Sequence, residues 1–407
     1  MEGSKMKYIV ILCDGMADEP LEELGERTPL EAARTENMDS LAEISEIGMV
    51  RTVPEGMAPG SDTANLSVIG YDPRKYYTGR SPLEALSIGA DMAPDDVSFR
   101  CNLVTLSEEE DRYEDRHVLD HSSGEISTEE AAELVRALSE GLKREGYEFY
   151  VGTSYRHLLI QKSGKVTELT APHDILTKRI GDYLPKDEVL REMMVKSYDI
   201  LKDHPVNAKR RAEGKNPANS AWFWGAGTRP ALMSFEKKNG VKGAMISAVD
   251  LLKGIAVGAG MDNIIVEGAN GGLDTNYAGK AKAAVKALTE DGYDFVYVHI
   301  EAPDEMGHQG SYRDKITAIE RIDERIVGPV RAGLENAGTD FRMLILPDHP
   351  TPVRVRTHTA DPVPYLLYDS RKKAEGRKTY SEKTGAETGI FEEQGSRLLD
   401  HLLSEQS

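Results

Sequence analysis

The chain has 407 residues, a formal net charge of −19 at pH 7, 39% apolar residues and two cysteines. This acidity disfavours binding to nucleic acid or to an anionic membrane surface, so we expect neither partner. The length exceeds what one hydrophobic core usually spans, which favours two domains or one domain with a large insertion.

The two cysteines, Cys13 and Cys101, each lie in an apolar, strand-like segment. That placement argues against a disulfide scaffold and against a thiolate zinc site. We find no signal peptide and no apolar run of the ~20 residues that a membrane-spanning helix needs. We therefore expect a cytoplasmic protein, and no oligomeric state is predicted.

The first part of the chain alternates predicted strands and helices. Residues 6–13 form an apolar run rich in β-branched residues, which predicts a buried parallel strand ending at Asp14. Thr28 followed by Pro29 predicts the start of a helix. The remaining predictions in this part are a strand at residues 49–53, a helix whose N-terminus carries Ser61, and a helix beginning at residue 81.

Residues 93–237 differ in pattern from the segments on either side. Strands are predicted at residues 97–105, 147–151 and 156–161, and an amphipathic helix at residues 128–142. Short strands that alternate with helices favour a separate unit. We interpret this block as an inserted, smaller α/β domain.

After residue 237 the pattern of the first part returns. Strands are predicted at residues 244–247, 294–300 and 343–346, and helices at residues 251–255 and 312–330. Strands that alternate with helices imply a mostly parallel central sheet with right-handed crossovers. The predicted fold class is therefore α/β, with one domain made of residues 1–92 plus 238–407 and the inserted domain made of residues 93–237.

Potential metal ligands follow the predicted strand ends, where open α/β sheets bind ligands. The six residues are Asp14, Asp304, His308, Asp348, His349 and His358. Taken singly, an aspartate at a strand end is more often a helix cap, and a histidine more often has a structural role. Together, three carboxylates and three imidazoles suit two divalent ions of the Mn, Mg or Zn type and do not suit a soft-metal site.

Ser61 is the candidate nucleophile beside these ligands. Two metals about 4 Å apart stabilise phosphoryl transfer. A serine at a helix N-terminus faces free backbone N–H groups and the positive end of the helix dipole, and a metal would favour its alkoxide. The alternative is that Ser61 or Asp62 only caps the helix. The segment lacks the G-x-S-x-G pattern of a nucleophile elbow.

Several motifs resemble the alkaline phosphatase superfamily and, more closely, its archaeal-type cofactor-independent (2,3-bisphosphoglycerate-independent) phosphoglycerate mutases. They lie at residues 13–15, 60–65, 302–308, 347–350 and 357–359, and residues 71–80 and 121–127 extend the similarity over nearly the whole chain. The resemblance implies an alkaline-phosphatase-like fold in which the inserted domain binds the rest of the substrate.

The resemblance also implies individual roles. Ser61 would be the phosphorylated nucleophile, and His121 and Lys253 would handle protons and the leaving oxygen. The substrate contacts implied by the motifs are Arg156, Arg229 and Asn65. One metal would be bound by Asp14, Ser61, Asp348 and His349, and the other by Asp304, His308 and His358.

One segment departs from the mutase pattern. Trp222 and Trp224 stand where the mutases carry an arginine directly before Gly-Ala-Gly, and Arg229 is a candidate replacement for that charge. We expect a glycolytic or gluconeogenic mutase that interconverts 3-phosphoglycerate and 2-phosphoglycerate through a phosphoserine. The tryptophans favour, as an alternative, phosphoryl transfer to a small alcohol such as homoserine. A metal-dependent phosphomonoesterase, with water as the acceptor, is a further alternative. Packing between domains is a further explanation of both side chains.

Overall fold

The computed structural model of the chain describes residues 5–404. Residues 1–4 and 405–407 of the predicted two-segment domain lie outside the described residues. The strands are β1 (Lys7–Cys13), β2 (Glu46–Val50), β3 (Val97–Leu106), β4 (Val118–Asp120), β5 (Tyr147–Thr153), β6 (Arg156–Gln161), β7 (Ser220–Thr228), β8 (Gly243–Ile246), β9 (Asp262–Asn263), β10 (Phe295–Ile300), β11 (Phe341–Leu346), β12 (Val363–Asp369) and β13 (Phe391–Glu392).

The helices alternate with these strands over much of the chain. They are α1 (Pro29–Ala32), α2 (Glu36–Ala42), α3 (Ser61–Val68), α4 (Pro73–Tyr76), α5 (Arg80–Ser87), α6 (Thr128–Gly141), α7 (Glu188–Leu201), α8 (Pro205–Ala212), α9 (Phe235–Asn239), α10 (Asp250–Gly258), α11 (Tyr277–Thr289), α12 (Ala302–Gln309), α13 (Tyr312–Ile322), α14 (Gly328–Asn336), α15 (Glu382–Glu387) and α16 (Leu398–Leu403). Within residues 5–404, no helix combines the length and the apolar character needed to cross a membrane.

The chain divides into two compact units. The first contains the described residues up to Tyr77 and those from Leu232 onward, and the second is Thr78–Ala231. The predicted boundaries at residues 92 and 238 therefore differ from the observed ones, chiefly because α5 belongs to the second unit. The Ser81 hydroxyl on α5 lies 2.6 Å from the carbonyl oxygen of Gly225 and 3.0 Å from that of Ser98, on strands of that unit.

The first unit is built on a mixed sheet. Among the described residues its strand order is β13-β2-β12-β11-β1-β10-β8-β9. The central strand β1 is parallel to both neighbours, β10 and β11, whereas β12 is antiparallel to β11 and to β2. The predicted α/β class with a mostly parallel sheet is confirmed. Strand β12 was not predicted, and the strand expected at residues 49–53 lies instead at Glu46–Val50.

The central strands are buried on both faces, which explains their continuous apolar runs. Ile9, Ile11 and Cys13 belong to one core cluster together with Val298 and Ile300. Because successive side chains of a strand point to opposite faces, the residues between them face the other side of the sheet. On β10, the alternating residues Tyr297 and His299 are polar, and both form hydrogen bonds to residues of the site.

The second unit contains an antiparallel sheet in which β3 pairs with β4, β6 and β7, and β5 pairs with β6. Strand β7 was not predicted. The inserted unit therefore combines helices with an antiparallel sheet rather than repeating the parallel pattern of the first unit. Cys101, on β3, and Cys13 are both buried free thiols.

Candidate active site

The carboxyl ends of β1 and β11 carry the first group of polar side chains. Asp14 follows β1, Asp348 and His349 follow β11, and these two strands are parallel neighbours. The Nε2 atom of His349 lies 3.6 Å from Asp14 Oδ1 and 3.4 Å from Asp348 Oδ2. It also lies 3.1 Å from the hydroxyl oxygen of Ser61. The structure thus brings together the four residues expected around one metal.

Ser61 is the first residue of α3, and its hydroxyl does not cap that helix. The cap position is occupied by Gly60, which has no side chain with which to cap the helix. The Asp62 carboxylate accepts hydrogen bonds from the Tyr77 hydroxyl (2.6 Å) and from the backbone N–H of Thr63 (2.9 Å). The Ser61 hydroxyl is therefore left at the positive end of the helix dipole, a position that favours an anion.

The second group lies on α12 and the loop after β11. The Nε2 atom of His308 lies 3.2 Å from Asp304 Oδ2 and 3.1 Å from the Nε2 atom of His358. His358 Nε2 lies 3.4 Å from Asp304 Oδ1. The i,i+4 spacing of Asp304 and His308 does place both on one helix face, as expected. His308 Nδ1 lies 3.0 Å from the carbonyl oxygen of Arg356, which leaves Nε2 facing the group.

Asp304 links the two groups. One ligand atom from each of Asp304, His308 and His358 lies within 4.8 Å of the others, and the same holds for Asp14, Asp304 and His349. The family resemblance implied Asp304 for the second group alone, and in the structure Asp304 also lies beside Asp14 and His349 of the first. The Thr351 hydroxyl donates a hydrogen bond to Asp304 Oδ1 and lies 3.3 Å from His349 Nδ1, so it bridges both groups.

The charge balance of these groups fits divalent cations. Asp14, Asp304 and Asp348 are all buried. Asp14 Oδ1 is buried and has no hydrogen-bond partner, and the imidazole atom His349 Nε2 lies 3.6 Å from it. A buried carboxylate oxygen without a partner is costly, and a bound cation would satisfy it. The oxygen and nitrogen donors suit divalent metals, so the geometry indicates dependence on a divalent metal.

Burial and the neighbouring charged groups also shift the pKa values of the ligand side chains. Burial raises the pKa of Asp14 well above its usual range, and the nearby carboxylates of Asp348 and Asp304 raise it further. Burial opposes ionisation of Asp304 too, but hydrogen bonds from His308 and His358 hold its pKa well below the usual range. The hydrogen bond to Asp304 raises the pKa of His308 to about 9. Burial lowers the pKa of His349, which leaves its imidazole neutral and able to bind a metal.

Asn65 holds the nucleophile rather than facing solvent. Its side-chain amide donates hydrogen bonds to the Ser61 carbonyl oxygen and to Asp348 Oδ2, both at 2.8 Å. Its carbonyl oxygen accepts a hydrogen bond from the buried Tyr297 hydroxyl at 2.6 Å. The structure therefore engages Asn65, which was expected to contact substrate, in bonds within the protein.

His299 was missed in the sequence although it belongs to the site. Its Nε2 atom lies 2.7 Å from Asp14 Oδ2, and its Nδ1 atom lies 3.0 Å from the Ser247 hydroxyl. Burial lowers the pKa of His299 to about 3, and the nearby Lys280 ammonium adds to that shift. The sequence did contain a signal: the His299 imidazole interrupts an apolar strand one residue before its end, on the face opposite to the apolar core.

In the second unit, polar and aromatic side chains gather around His121, the expected acid/base residue. The ring centre of His121 lies 5.7 Å from that of Tyr155 and 6.0 Å from that of His173. The Arg156 guanidinium stacks on Tyr155 at 5.0 Å. His173 in turn contacts Trp224, with ring centres 5.1 Å apart. The structure thus brings two of the predicted residues together in one cluster.

The two tryptophans differ in environment. Trp222 is buried in the core of the second unit, and its indole N–H donates a hydrogen bond to the Thr170 carbonyl oxygen at 2.8 Å. Trp224 is partly exposed, and the guanidinium of Arg100 lies 4.3 Å from its ring centre. Arg100, which sequence reasoning missed, therefore supplies a positive charge beside Trp224.

Two predicted residues lie outside these clusters. The exposed Arg229 donates a hydrogen bond to the carbonyl oxygen of Met92 at 3.0 Å. Lys253, on α10, lies 3.3 Å from an Asp250 carboxylate oxygen and lines a small cavity that also contains Ser247. Because Ser247 contacts His299, Lys253 lies near the same edge of the sheet as the metal-ligand groups.

The chain is similar to known proteins over nearly its full length. Residues 42–207 match the family model described as 2,3-bisphosphoglycerate-independent phosphoglycerate mutase. A protein of that name from Methanosarcina acetivorans is 52% identical over 368 residues, which cover 89% of this chain and 90% of that protein.

Two solved structures share the fold. One is a protein from Pyrococcus horikoshii, with a TM-score of 0.83 and 32% identity over 99% of each chain. The other is cofactor-independent phosphoglycerate mutase from Thermoplasma acidophilum, with a TM-score of 0.67 and 28% identity over 98% of this chain and 99% of that chain. The family predicted from the sequence motifs is confirmed: the chain belongs to the 2,3-bisphosphoglycerate-independent phosphoglycerate mutases.

Proposed function

We propose that this chain interconverts 3-phosphoglycerate and 2-phosphoglycerate through a phosphoserine at Ser61. The main support is the position of Ser61, which is the first residue of α3. Its hydroxyl oxygen lies 3.1 Å from His349 Nε2, in a cluster of carboxylates and imidazoles. The family membership supports the same reaction. The small phosphorylated substrate is compatible with an acidic chain because the local charge at the site would come from metal.

We assign two divalent ions of the Mn, Mg or Zn type to the site. One ion would be bound beside Ser61 by Asp14, Asp348 and His349. The other would be bound by Asp304, His308 and His358, and Asp304 lies within reach of both positions. When bound, such ions stabilise charge on the phosphoryl oxygens and favour the serine alkoxide.

The protein side chains perform the remaining tasks. The Ser61 oxygen attacks the phosphorus, the bond from phosphorus to the 3-oxygen breaks, and that oxygen gains a proton. The glycerate then reorients, its 2-hydroxyl loses a proton and attacks the phosphoserine, and Ser61 is released. His121 and Lys253 are the assigned proton carriers. Asn65 keeps Ser61 in place through its bond to the Ser61 carbonyl oxygen.

We assign the rest of the substrate to the second unit. Its cluster at His121 contains the exposed guanidinium of Arg156, which suits a carboxylate. The guanidinium of Arg100 lies beside Trp224 and is paired with Glu84 at 3.1 Å. Arg100 offers the charge that the Trp224 position lacks, a role that the sequence gave to Arg229. Exclusion of water is required as well, because water would otherwise hydrolyse the phosphoserine.

A product assay tests the proposal directly. The protein is incubated with 3-phosphoglycerate, with and without Mn²⁺, and the products are followed by ³¹P NMR. We expect 2-phosphoglycerate with added Mn²⁺ and little free phosphate. Release of phosphate as the main product would indicate a phosphomonoesterase, and phosphorylation of added homoserine without interconversion would indicate a small-alcohol phosphotransferase.

Ser61→Ala separates the nucleophile from the metal site. We expect this variant to lose turnover while it still binds Mn²⁺, because the aspartate and histidine ligands remain. Ser67→Ala is the matched control, since Ser67 is a buried serine on the same helix. Interconversion by Ser61→Ala at the rate of the control would remove Ser61 from the proposed role.

A further inference from the structure

His299 and Ser247 form a hydrogen-bonded chain that ends on Asp14. The backbone N–H of Val249 donates to the Ser247 hydroxyl oxygen at 3.0 Å. That oxygen lies 3.0 Å from His299 Nδ1, and His299 Nε2 lies 2.7 Å from Asp14 Oδ2. His299 and Asp14 are both buried.

The donors and acceptors in this row of hydrogen bonds select one tautomer of His299. Asp14 acts as a metal ligand in its carboxylate form, which only accepts, so the His299 Nε2–H group donates to Asp14 Oδ2. Nδ1 is then an acceptor, and the proton of the neutral ring is on Nε2. The Ser247 hydroxyl consequently donates to Nδ1, while its oxygen accepts from the Val249 N–H.

The two oxygens of Asp14 consequently have different roles. Oδ2 is held by His299, whereas Oδ1 is the buried oxygen without a partner that lies 3.6 Å from His349 Nε2. The backbone supports this arrangement, since the Lys280 ammonium donates to the His299 carbonyl oxygen at 2.8 Å and the Asp14 N–H donates to the Ile300 carbonyl oxygen at 2.9 Å. Rotation of the carboxylate would break the bond to His299.

We propose that His299 is a positioning residue for the metal site, which turns Asp14 so that its Oδ1 atom is directed to His349 and would be available to a metal ion. The inference rests on the metal site of the proposed function. Ser247 supports the tautomer that this role requires. Loss of a residue that orients a metal ligand typically lowers metal affinity on the order of 10- to 100-fold.

The test compares two substitutions of His299 by calorimetric titration of the metal-free full-length protein with Mn²⁺. His299→Leu removes the donor, and we expect its Mn²⁺ affinity to fall on the order of 10- to 100-fold. His299→Gln restores an N–H donor near the position of Nε2, and we expect it to recover most of that loss. His157→Leu removes another buried histidine from the second unit and is expected to leave the affinity unchanged.

Activity as a function of Mn²⁺ concentration provides the second measurement. For His299→Leu we expect the Mn²⁺ concentration at half-maximal rate to rise by the same factor, with a smaller change of kcat at saturating Mn²⁺. Thermal unfolding of the metal-free variants confirms that each one is folded. Equal Mn²⁺ affinity of the wild type and His299→Leu, or equal losses in the Leu and Gln variants, would overturn the inference.

The calorimetric result does not depend on the reaction. If the affinities rank as expected but the wild type does not interconvert phosphoglycerates, the positioning role stands and the proposed function fails. If the wild type interconverts phosphoglycerates but the Mn²⁺ affinities of the wild type and the His299 variants do not differ as expected, the proposed function stands and the positioning role fails.

Discussion

Lys315 offers a test of how the two loops of the site are held together. It lies on α13 with a fully buried side chain and forms an ion pair with Asp18 at 2.7 Å. Its ammonium also donates to the carbonyl oxygens of Ala17 (3.2 Å) and Thr351 (2.9 Å). Lys315 therefore joins the loop after β1 to the loop after β11, and these loops carry Asp14 and His349.

The substitution Lys315→Met removes all three bonds of the ammonium and keeps most of the side-chain volume. Asp18 is left as a buried charge without its cation, and breaking a buried pair in this way costs about 3–5 kcal/mol. Asn at position 18 would still accept from the Val353 N–H, which lies 3.1 Å from Asp18 Oδ2. We therefore expect the double variant Asp18→Asn with Lys315→Met to lose less than the sum of the two single losses.

Urea unfolding measured by far-UV circular dichroism gives these free energies. The two tryptophans both lie in the second unit, so their fluorescence reports that unit separately. Lys282→Met is the control, since Lys282 is exposed on α11, and we expect it to change stability by no more than about 0.5 kcal/mol. A loss below about 1 kcal/mol for Lys315→Met would refute the reasoning from the buried pair.

The remaining predictions concern the protonation of His308 and the roles of the two tryptophans. Below pH 9 the His308 ring carries a proton that a metal must displace. We therefore expect the Mn²⁺ affinity, measured by calorimetry, to rise by up to about tenfold per pH unit between pH 7 and 9. An affinity that does not depend on pH would contradict this prediction. Because its pKa is raised on folding, the contribution of His308 to the stability of the metal-free protein should be complete below about pH 6.5 and lost as the pH rises through 9. Trp222→Phe should cost about 1–2 kcal/mol of stability with little change in KM, since it loses the bond to Thr170. Trp224→Phe should instead raise KM for 3-phosphoglycerate; the opposite pattern would place Trp222 at the substrate.

The strand ends were predictable from the sequence because both faces of the central strands are covered. Their apolar runs are continuous, so each end is marked by the first charged residue, as at Asp14 and Asp348. The i,i+4 pair Asp304 and His308 was readable for the same kind of reason, since helical periodicity is local. These features needed no knowledge of which strands are neighbours.

The features that were missed depend on pairing between distant segments. Strand β12 runs antiparallel between β11 and β2, an arrangement that no local pattern specifies. Arg100 meets Trp224 because β3 and β7 are paired, although the two residues are far apart in the chain. His299 was hidden within a strand, where an isolated histidine has no partner until β1 and β10 are placed side by side.

The loop after β11 shows where the rigidity of the site arises. Pro350 and Pro352 restrict the backbone of the segment between His349 and His358. In the structure, side chains from other elements hold that segment at three points. Lys315 binds the Thr351 carbonyl oxygen, Asp18 accepts from the Val353 N–H, and His308 lies 3.0 Å from the Arg356 carbonyl oxygen. Because His308 is itself a ligand, its contact with Arg356 couples the second group to the loop that presents His358. The spacing of the two metal-ligand groups is thus set by bonds across the sheet edge, which is why removal of the buried Lys315 is expected to disturb both groups.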